Sequence, residues 1–388
     1  MMGYGFLITR GAGNVKLADD LMKAVVEVRV EESLSGPNSF AVRFEEDICE
    51  GKPATLSAKE LMPGELLAVL VPDENDSTTC LVRGPITKVK ASAVTGGPGS
   101  WVETHGLDRR VEMDRKSVDG SWEGRGTDIA TGVLEEYRFK PDVLPDPRLK
   151  FDKKTKTLNQ CFPDLKLLDA LAKELAYELW LTYEAKAEGE GYRISETAHF
   201  RPSPDFKAAK GAVPSIEMIN GGGAAKVLKL DVPAGKCRNI STFDLEVDVD
   251  RATLALVAGI DARTGKKDEK KETDKCECVE KDGKTIDQKF GKATRTVRII
   301  GAGSAEEGSG AAKALLAAEA WFITAKASTS VRLLPGVLRP HDIVRVEGHG
   351  FAHSGNYQVA KVLHVINAWG HLMDLTLRRN VLPSTSHV

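Results

Sequence analysis

LRPHDIVRVEGHGFAHSGNYQVAKVLHVINAWGHLMDLTLRRN, residues 338–380, is the stretch on which the reading of the fold turns. Within it, Ile343, Val344 and Val346 mark one apolar run, YQVAKVLHV (357–365) a second, and LMDLTL (372–377) a third. Apolar and polar residues alternating with a period of two are the pattern of a half-buried strand. Gly348–Gly350, Ser354–Asn356 and Asn367–Gly370 supply the turns between them. Short alternating strands joined by glycine-containing turns predict a small antiparallel barrel at this end of the chain.

The other end reads in the same way. In VEVRVEESLSGPNSFAVRF (26–44), Val26, Val28 and Val30 alternate with Glu27, Arg29 and Glu31. Gly36–Pro37–Asn38 turns the chain, and Phe40, Val42 and Phe44 alternate on the return. Further strands are expected at 66–71, after the Pro63–Gly64 turn, and at 79–89, bending near Gly84. These segments predict a second small barrel. Between the ends, Trp101–Leu107 reads as a strand, and Thr127 or Asp128 caps a helix through Ile129, Val133, Leu134 and Tyr137. The strongest helix is expected over 164–183, where Leu167, Leu168, Leu171, Leu175, Leu179 and Trp180 recur at intervals of three and four.

The resulting fold class is mainly β with an α+β middle and two small antiparallel β-barrels. Three domains are expected: a first barrel over 1–95, an α+β domain over 96–240 and a second barrel over 241–388. The last carries a Lys-, Glu- and Asp-rich insertion at 261–290, read as solvent-facing or disordered, and a helical stretch near 306–324.

Composition narrows the function. The 388 residues carry 54 basic and 56 acidic side chains, a formal net charge of −2. That balance gives no support to bulk binding of nucleic acid or anionic membrane. No run of 18 apolar residues exists, so no membrane span is expected. The N-terminal apolar run is too short for a secretory signal. Six scattered cysteines suggest no disulfide framework, and a reducing site of synthesis is expected.

Few residues invite a chemical reading. Cys276–Glu277–Cys278 has the wrong spacing for a zinc knuckle and lacks a second pair. His341, His349, His353, His364 and His371 crowd the C-terminal region. Their bland reading is polar turn and rim residues at a subunit contact, because no carboxylate is placed in sequence to orient a metal-ligating imidazole. Gly11–Ala12–Gly13 and Gly301–Ala302–Gly303 are not phosphate-binding loops, and there is no GxSxG elbow. Glu135–Glu136 reads as solvated surface charge. No catalytic, cofactor-binding or metal-binding residue is assigned, and no cofactor is expected.

The C-terminal motif resembles a known family. A strand ending in Gly348 and Gly350 is followed by Ser354–Gly355–x–Tyr357–x–Val359, then Val362–x–His364, and a last strand ends in Arg378–Arg379–Asn380. This pattern is similar to the end of phage late control protein D and related contractile-tail baseplate hub proteins. The 26–44 hairpin, Pro63–Gly64, Val82–Arg83–Gly84–x–Ile86 and LLDALAKEL (167–175) fit more loosely.

The resemblance implies a homotrimer in which two barrels per chain form a pseudo-sixfold ring. Such a ring adapts the hexameric tail tube to a trimeric spike. Implied partners are the tail tube protein ring, a separate trimeric spike protein and other baseplate proteins, with no nucleic-acid sequence readout. The implied location is the virion tail baseplate or a phage-like particle, assembled in the bacterial host cytoplasm. The implied role is structural rather than enzymatic. The alternatives are a particle-associated peptidoglycan-degrading enzyme, which needs a paired acid and base, and a carbohydrate- or receptor-binding barrel protein.

Overall fold

The computed structural model describes residues 5–46, 55–73, 77–94, 99–152, 157–204, 226–229, 238–260, 267–273, 291, 293–298, 305–334, 336–348 and 353–381. The N-terminal region opens with strands Leu7–Arg10 (β1) and Val15–Lys16 (β2) and helix Asp19–Ala24 (α1). Val25–Ser33 (β3) and Ser39–Glu45 (β4) form the expected hairpin, and Val28, Val30, Phe40, Val42 and Phe44 are buried. Val26 departs from the pattern. A register shift between Val25 and Glu27 rotates it outward, as a bulge does.

Leu66–Pro72 (β5), Thr78–Ser92 (β6) and Trp101–Leu107 (β7) follow. The long β6 serves two neighbours in succession. It pairs with β5 along Thr78–Pro85 and with β7 along Ile86–Ser92. Gly84 sits at this changeover, and a Cβ built there would overlap the Leu107 carbonyl oxygen. Gly106, opposite Ile86, lies under the Phe40 ring in the same way.

The middle region contains Ser117–Trp122 (β8), Gly124–Arg125 (β9), helix Gly126–Glu136 (α2), Lys140–Val143 (β10), Lys150–Phe151 (β11) and Leu158–Pro163 (β12). Helix Asp164–Leu175 (α3) and the hairpin Tyr177–Glu188 (β13) and Gly191–Pro202 (β14) complete it. Leu167, Leu168 and Leu171 of α3 pack with Ile129, Val133 and Leu134 of α2 and with Leu179 and Phe200 of the hairpin. The helix expected over 164–183 therefore ends early. Ala176 takes a left-handed conformation (φ 57°) as its C-cap. The residues after it pair with β14 from Tyr177↔Pro202 to Glu188↔Gly191. Short apolar runs such as YELWL carry both periods, and the ladder decides between them.

The C-terminal region runs through Lys226–Lys229 (β15), Thr242–Val247 (β16), Leu254–Ile260 (β17), Lys267–Thr273 (β18), Thr294–Arg298 (β19) and helix Ala305–Glu319 (α4). It ends with Ile323–Ser330 (β20), Ile343–Glu347 (β21), Gly355–Asn367 (β22) and Gly370–Arg379 (β23). The helix stops five residues short of 324, and Thr324 belongs to β20. Within the charged 261–290 stretch, β18 pairs with β17; residues 261–266 and 274–290 lie outside the described residues.

Among the described residues no barrel forms at either end, and strands from all three regions join in one 16-stranded sheet, in the order β10-β14-β2-β1-β5-β6-β7-β4-β3-β22-β23-β20-β16 with branches. Closing the first barrel would require the outer edge of β3. That edge is already paired with β22, from Lys361↔Ser33 to Asn367↔Glu27. At the other end β20 leads outward to β16, where the path stops, while β21 pairs with β15. The mainly β class with an α+β middle agrees with the structure; the closed barrels do not.

The β6 changeover makes one prediction. Gly84→Ala should destabilise the chain by about 1–3 kcal/mol through forced overpacking. A urea-denaturation midpoint unchanged by the substitution would show that the Leu107 turn yields freely.

Candidate functional site

The apolar core is divided. One cluster centres on the middle region and takes in Ala68, Leu70 and Cys80 of β5 and β6, one belongs to the N-terminal strands, one to β20–β23, and a small one joins Ala252 and Ala255 to Ala312 and Leu316 of α4; Val337 and Ile366 reach from the last region into the second. Buried carboxylates bridge the divisions, and each meets at least one arginine from another part of the chain.

The first is Glu32 of β3, which is 1% exposed. It pairs with Arg339 and lies 3.2 Å from His364 Nε2. Arg339 also donates to the carbonyls of Cys80 (2.9 Å) and Leu81 (3.0 Å) on β6. His364 Nδ1 is 2.9 Å from His371 Nε2 across the β22–β23 hairpin. Burial alone would raise the Glu32 pKa, yet Arg339 and His364 outweigh it and hold the carboxyl below its ordinary value. With Glu32 ionised, the carboxylate accepts from His364 Nε2–H. His364 Nδ1 in turn stands within hydrogen-bond distance of His371 Nε2, so the two rings extend the chain.

The second is Glu178 of β13. It pairs with Arg378 of β23 and accepts from Ser203 Oγ (2.7 Å) and Gln358 Nε2 (3.3 Å). Arg378 also donates to Gln358 Oε1 at 2.8 Å and lies over the Trp321 ring. His341 Nε2 stands 3.6 Å from Glu178, too far for a hydrogen bond. Its ring stacks on Trp180 at 3.9 Å, and the other face of this array is His199, 4.9 Å from Trp180. The third carboxylate, Glu196 of β14, takes Arg83 from β6 (3.1 Å) and Arg109 (2.5 Å).

Among the residues singled out from sequence, the structure brings together His341 with the Glu178 cluster and His364 with His371. It does not place His364 on a rim, for that side chain is fully buried, while His341 and His371 are half-buried. The His353 carbonyl accepts from Tyr357 Oη at 2.7 Å. His349, Cys276 and Cys278 lie outside the described residues. Among the described residues no group of three or more His, Cys, Asp or Glu could hold a metal ion.

One arrangement has the form of a nucleophile, base and orienting acid. Asp142 Oδ2 is 2.6 Å from His199 Nδ1, and His199 Nε2 is 2.7 Å from Thr182 Oγ1. Burial moves the His199 pKa below its ordinary value, against the pull of Asp142. The three residues lie on β10, β14 and β13, whose backbones are paired with one another. Arg201 also holds Asp142, at 2.5 Å, so the set reads as a cross-strand polar clamp.

Sequence reasoning missed Glu32, Glu178, Trp180, His199 and Arg339. A signal existed for the first. Glu32 falls in phase with Val28 and Val30, on the buried face of its strand, where an unpaired carboxylate is untenable. His364 likewise falls in phase with Val362 and Ile366.

No protein-family model matches the sequence, and no curated protein matches it. Solved structures do. A tail protein from Neisseria meningitidis MC58 matches with TM-score 0.63 at 13% identity, over 97% of both chains. The 43 kDa tail protein of prophage MuSo2 from Shewanella oneidensis matches with TM-score 0.60 at 13% identity, again over 97% of both. The E. coli c3393 protein, a type VI secretion component structurally similar to T4 tail proteins gp27 and gp5, matches with TM-score 0.52 at 11% identity. That match spans 93% of this chain and 74% of the other. The chain has the fold of these tail and secretion proteins.

The Glu32 clamp predicts a stability effect. Arg339→Ala should cost about 3–5 kcal/mol, because it leaves Glu32 buried without its cation. The lowered Glu32 pKa contributes stability above the ordinary carboxylate range, and acidification through the folded value removes it. Glu32→Gln should therefore flatten the acid limb of the stability profile. Urea titrations between neutral and acid pH measure both effects.

Proposed function

We propose that the chain is a structural baseplate hub protein of a contractile tail or phage-like injection particle, related to late control protein D. In this reading it is not an enzyme. It joins the tail tube to the trimeric spike as a homotrimer, among other baseplate proteins, in particles assembled in the bacterial cytoplasm. The observation that carries the reading is the end-to-end correspondence with two tail proteins, which covers 97% of this chain and 97% of each of them. A likeness confined to one region would point only to a shared module. The C-terminal motif from Ser354 to Asn380, read from sequence, points the same way.

The architecture suits such a part. One sheet runs through all three regions, so load applied at one end is carried by backbone ladders rather than by a linker. Trp369 stands 92% exposed at the tip of the β22–β23 hairpin, and Leu372 beside it is also exposed. Exposed aromatic anchors are characteristic of protein contacts.

The reading is tested by mass and by position. Sedimentation should give a particle of three 42.0 kDa chains, and electron microscopy of tagged particles should place the tag at the tube–spike junction. A chain that stays monomeric and is absent from purified particles would overturn it.

A further inference from the structure

The two junctions that hold the C-terminal strands share an unusual composition. Each places a buried imidazole beside a charged pair where two regions of the chain meet. His371 is wedged behind His364, whose far nitrogen meets Glu32 and, through it, Arg339. His341, held at φ 78°, is pressed against Trp180 between the middle hairpin and β23. By contrast, the residues of β20–β23 form an apolar cluster of their own, with Tyr357, Val359, Met373, Leu375 and Leu377 fully or nearly fully buried. The middle region is packed just as completely around α2 and α3.

We propose that the C-terminal sheet region is an acid-releasable element: protonation of His341 and His371 loosens its attachment to β3 and β13, withdrawing Val337 and Ile366 from the N-terminal cluster, while the clusters of β20–β23 and of the middle region stay packed. This inference does not depend on the proposed function. It concerns how two parts of the same chain are joined.

The groups that face each imidazole set the direction. His341 meets Glu178 of β13, Arg378 of β23, and His199 and Arg201 of β14. Burial disfavours its cation most strongly, Glu178 opposes that effect, and the remaining three add like charge. The result is a pKa lowered to about 4. His371 meets His364 of β22 and, more distantly, Glu32 of β3; burial and His364 lower it to about 3. Both histidines gain their ordinary proton affinity once the junction opens. A group whose folded pKa is depressed favours the closed form at neutral pH and the open form as pH falls below its ordinary value. The window therefore runs from about 6.5 downward, towards about 4 for His341 and about 3 for His371. At pH near 4.5 each histidine should favour opening by roughly tenfold to a hundredfold relative to neutral pH.

Hydrogen exchange on the full-length protein tests this, with rates corrected for the intrinsic effect of pH. From neutral pH to pH near 4.5, amides of the β3–β22 ladder (Lys361↔Ser33 to Asn367↔Glu27) should lose protection at least tenfold more than amides of α3. The double variant His341→Asn, His371→Gln should lose that difference, since neither new side chain titrates; Asn also tolerates the left-handed backbone at 341. Equal loss of protection in both regions, or an unchanged acid response in the double variant, would overturn the inference. Should the double variant not fold, the wild-type comparison decides alone: ladder-specific exposure supports the inference, and uniform exposure refutes it.

Discussion

A carboxylate with no water around it must find a cation, and at Glu32 that requirement ties the two ends of the chain together. Arg339 lies 307 positions away and His364 lies 332. Neither can be exchanged for solvent, because the carboxylate is buried under the sheet it belongs to. The β3–β22 ladder brings these groups into range, and they in turn forbid a slip of that ladder. A shift of one residue would turn Glu32 outward and bury Glu31 or Ser33 in its place. The ion pair need not add much net stability for this to matter. What it adds is a large penalty for every arrangement in which it is not made.

The same device recurs. Glu178 and Glu196 each take arginines from other segments, at the seams between apolar clusters. The clusters themselves are ordinary: leucines of two helices against a hairpin, alternating valines and phenylalanines of two strands, a third set inside β20–β23. Apolar contact is tolerant of small displacement, whereas a buried network of charge-assisted bonds is not. Dividing the core and joining it by such networks, with a few apolar residues crossing between clusters, gives regions that are definitely oriented. That arrangement also leaves the junctions open to titration by acid, since burial holds the pKa of His341 and His371 below the ordinary value.

The elements were largely legible in the sequence, and the candidate site was not. β4, β7, β22 and β23 follow from their alternation, and α2 and the start of α3 from their helical spacing. The end of α3 was misread because Leu179 and Trp180 continue its period while belonging to a strand. Glu178 lies just before them, so the same error hid the carboxylate that holds Arg378. The histidine cluster was visible as a crowd, but its partners come from β3 and β13, far away in the chain. No local pattern announces that His364 will meet Glu32. Only their common phase with buried neighbours, one strand at a time, hints that each needs a partner.

Residue order alone determined the mainly β character, the mixed middle and the turns at Gly36 and Asn367–Gly370. These depend on interactions within a few residues, where side-chain period and backbone freedom decide. The tertiary structure decided which strand edges meet. An alternating strand can pair with either a near or a distant neighbour, and its own sequence scarcely distinguishes them. Here the free edge of β3 pairs with β22 instead of closing its own sheet, so two expected barrels become one open sheet. The distinction comes from side chains on the buried face, which find their counter-charges only in that pairing.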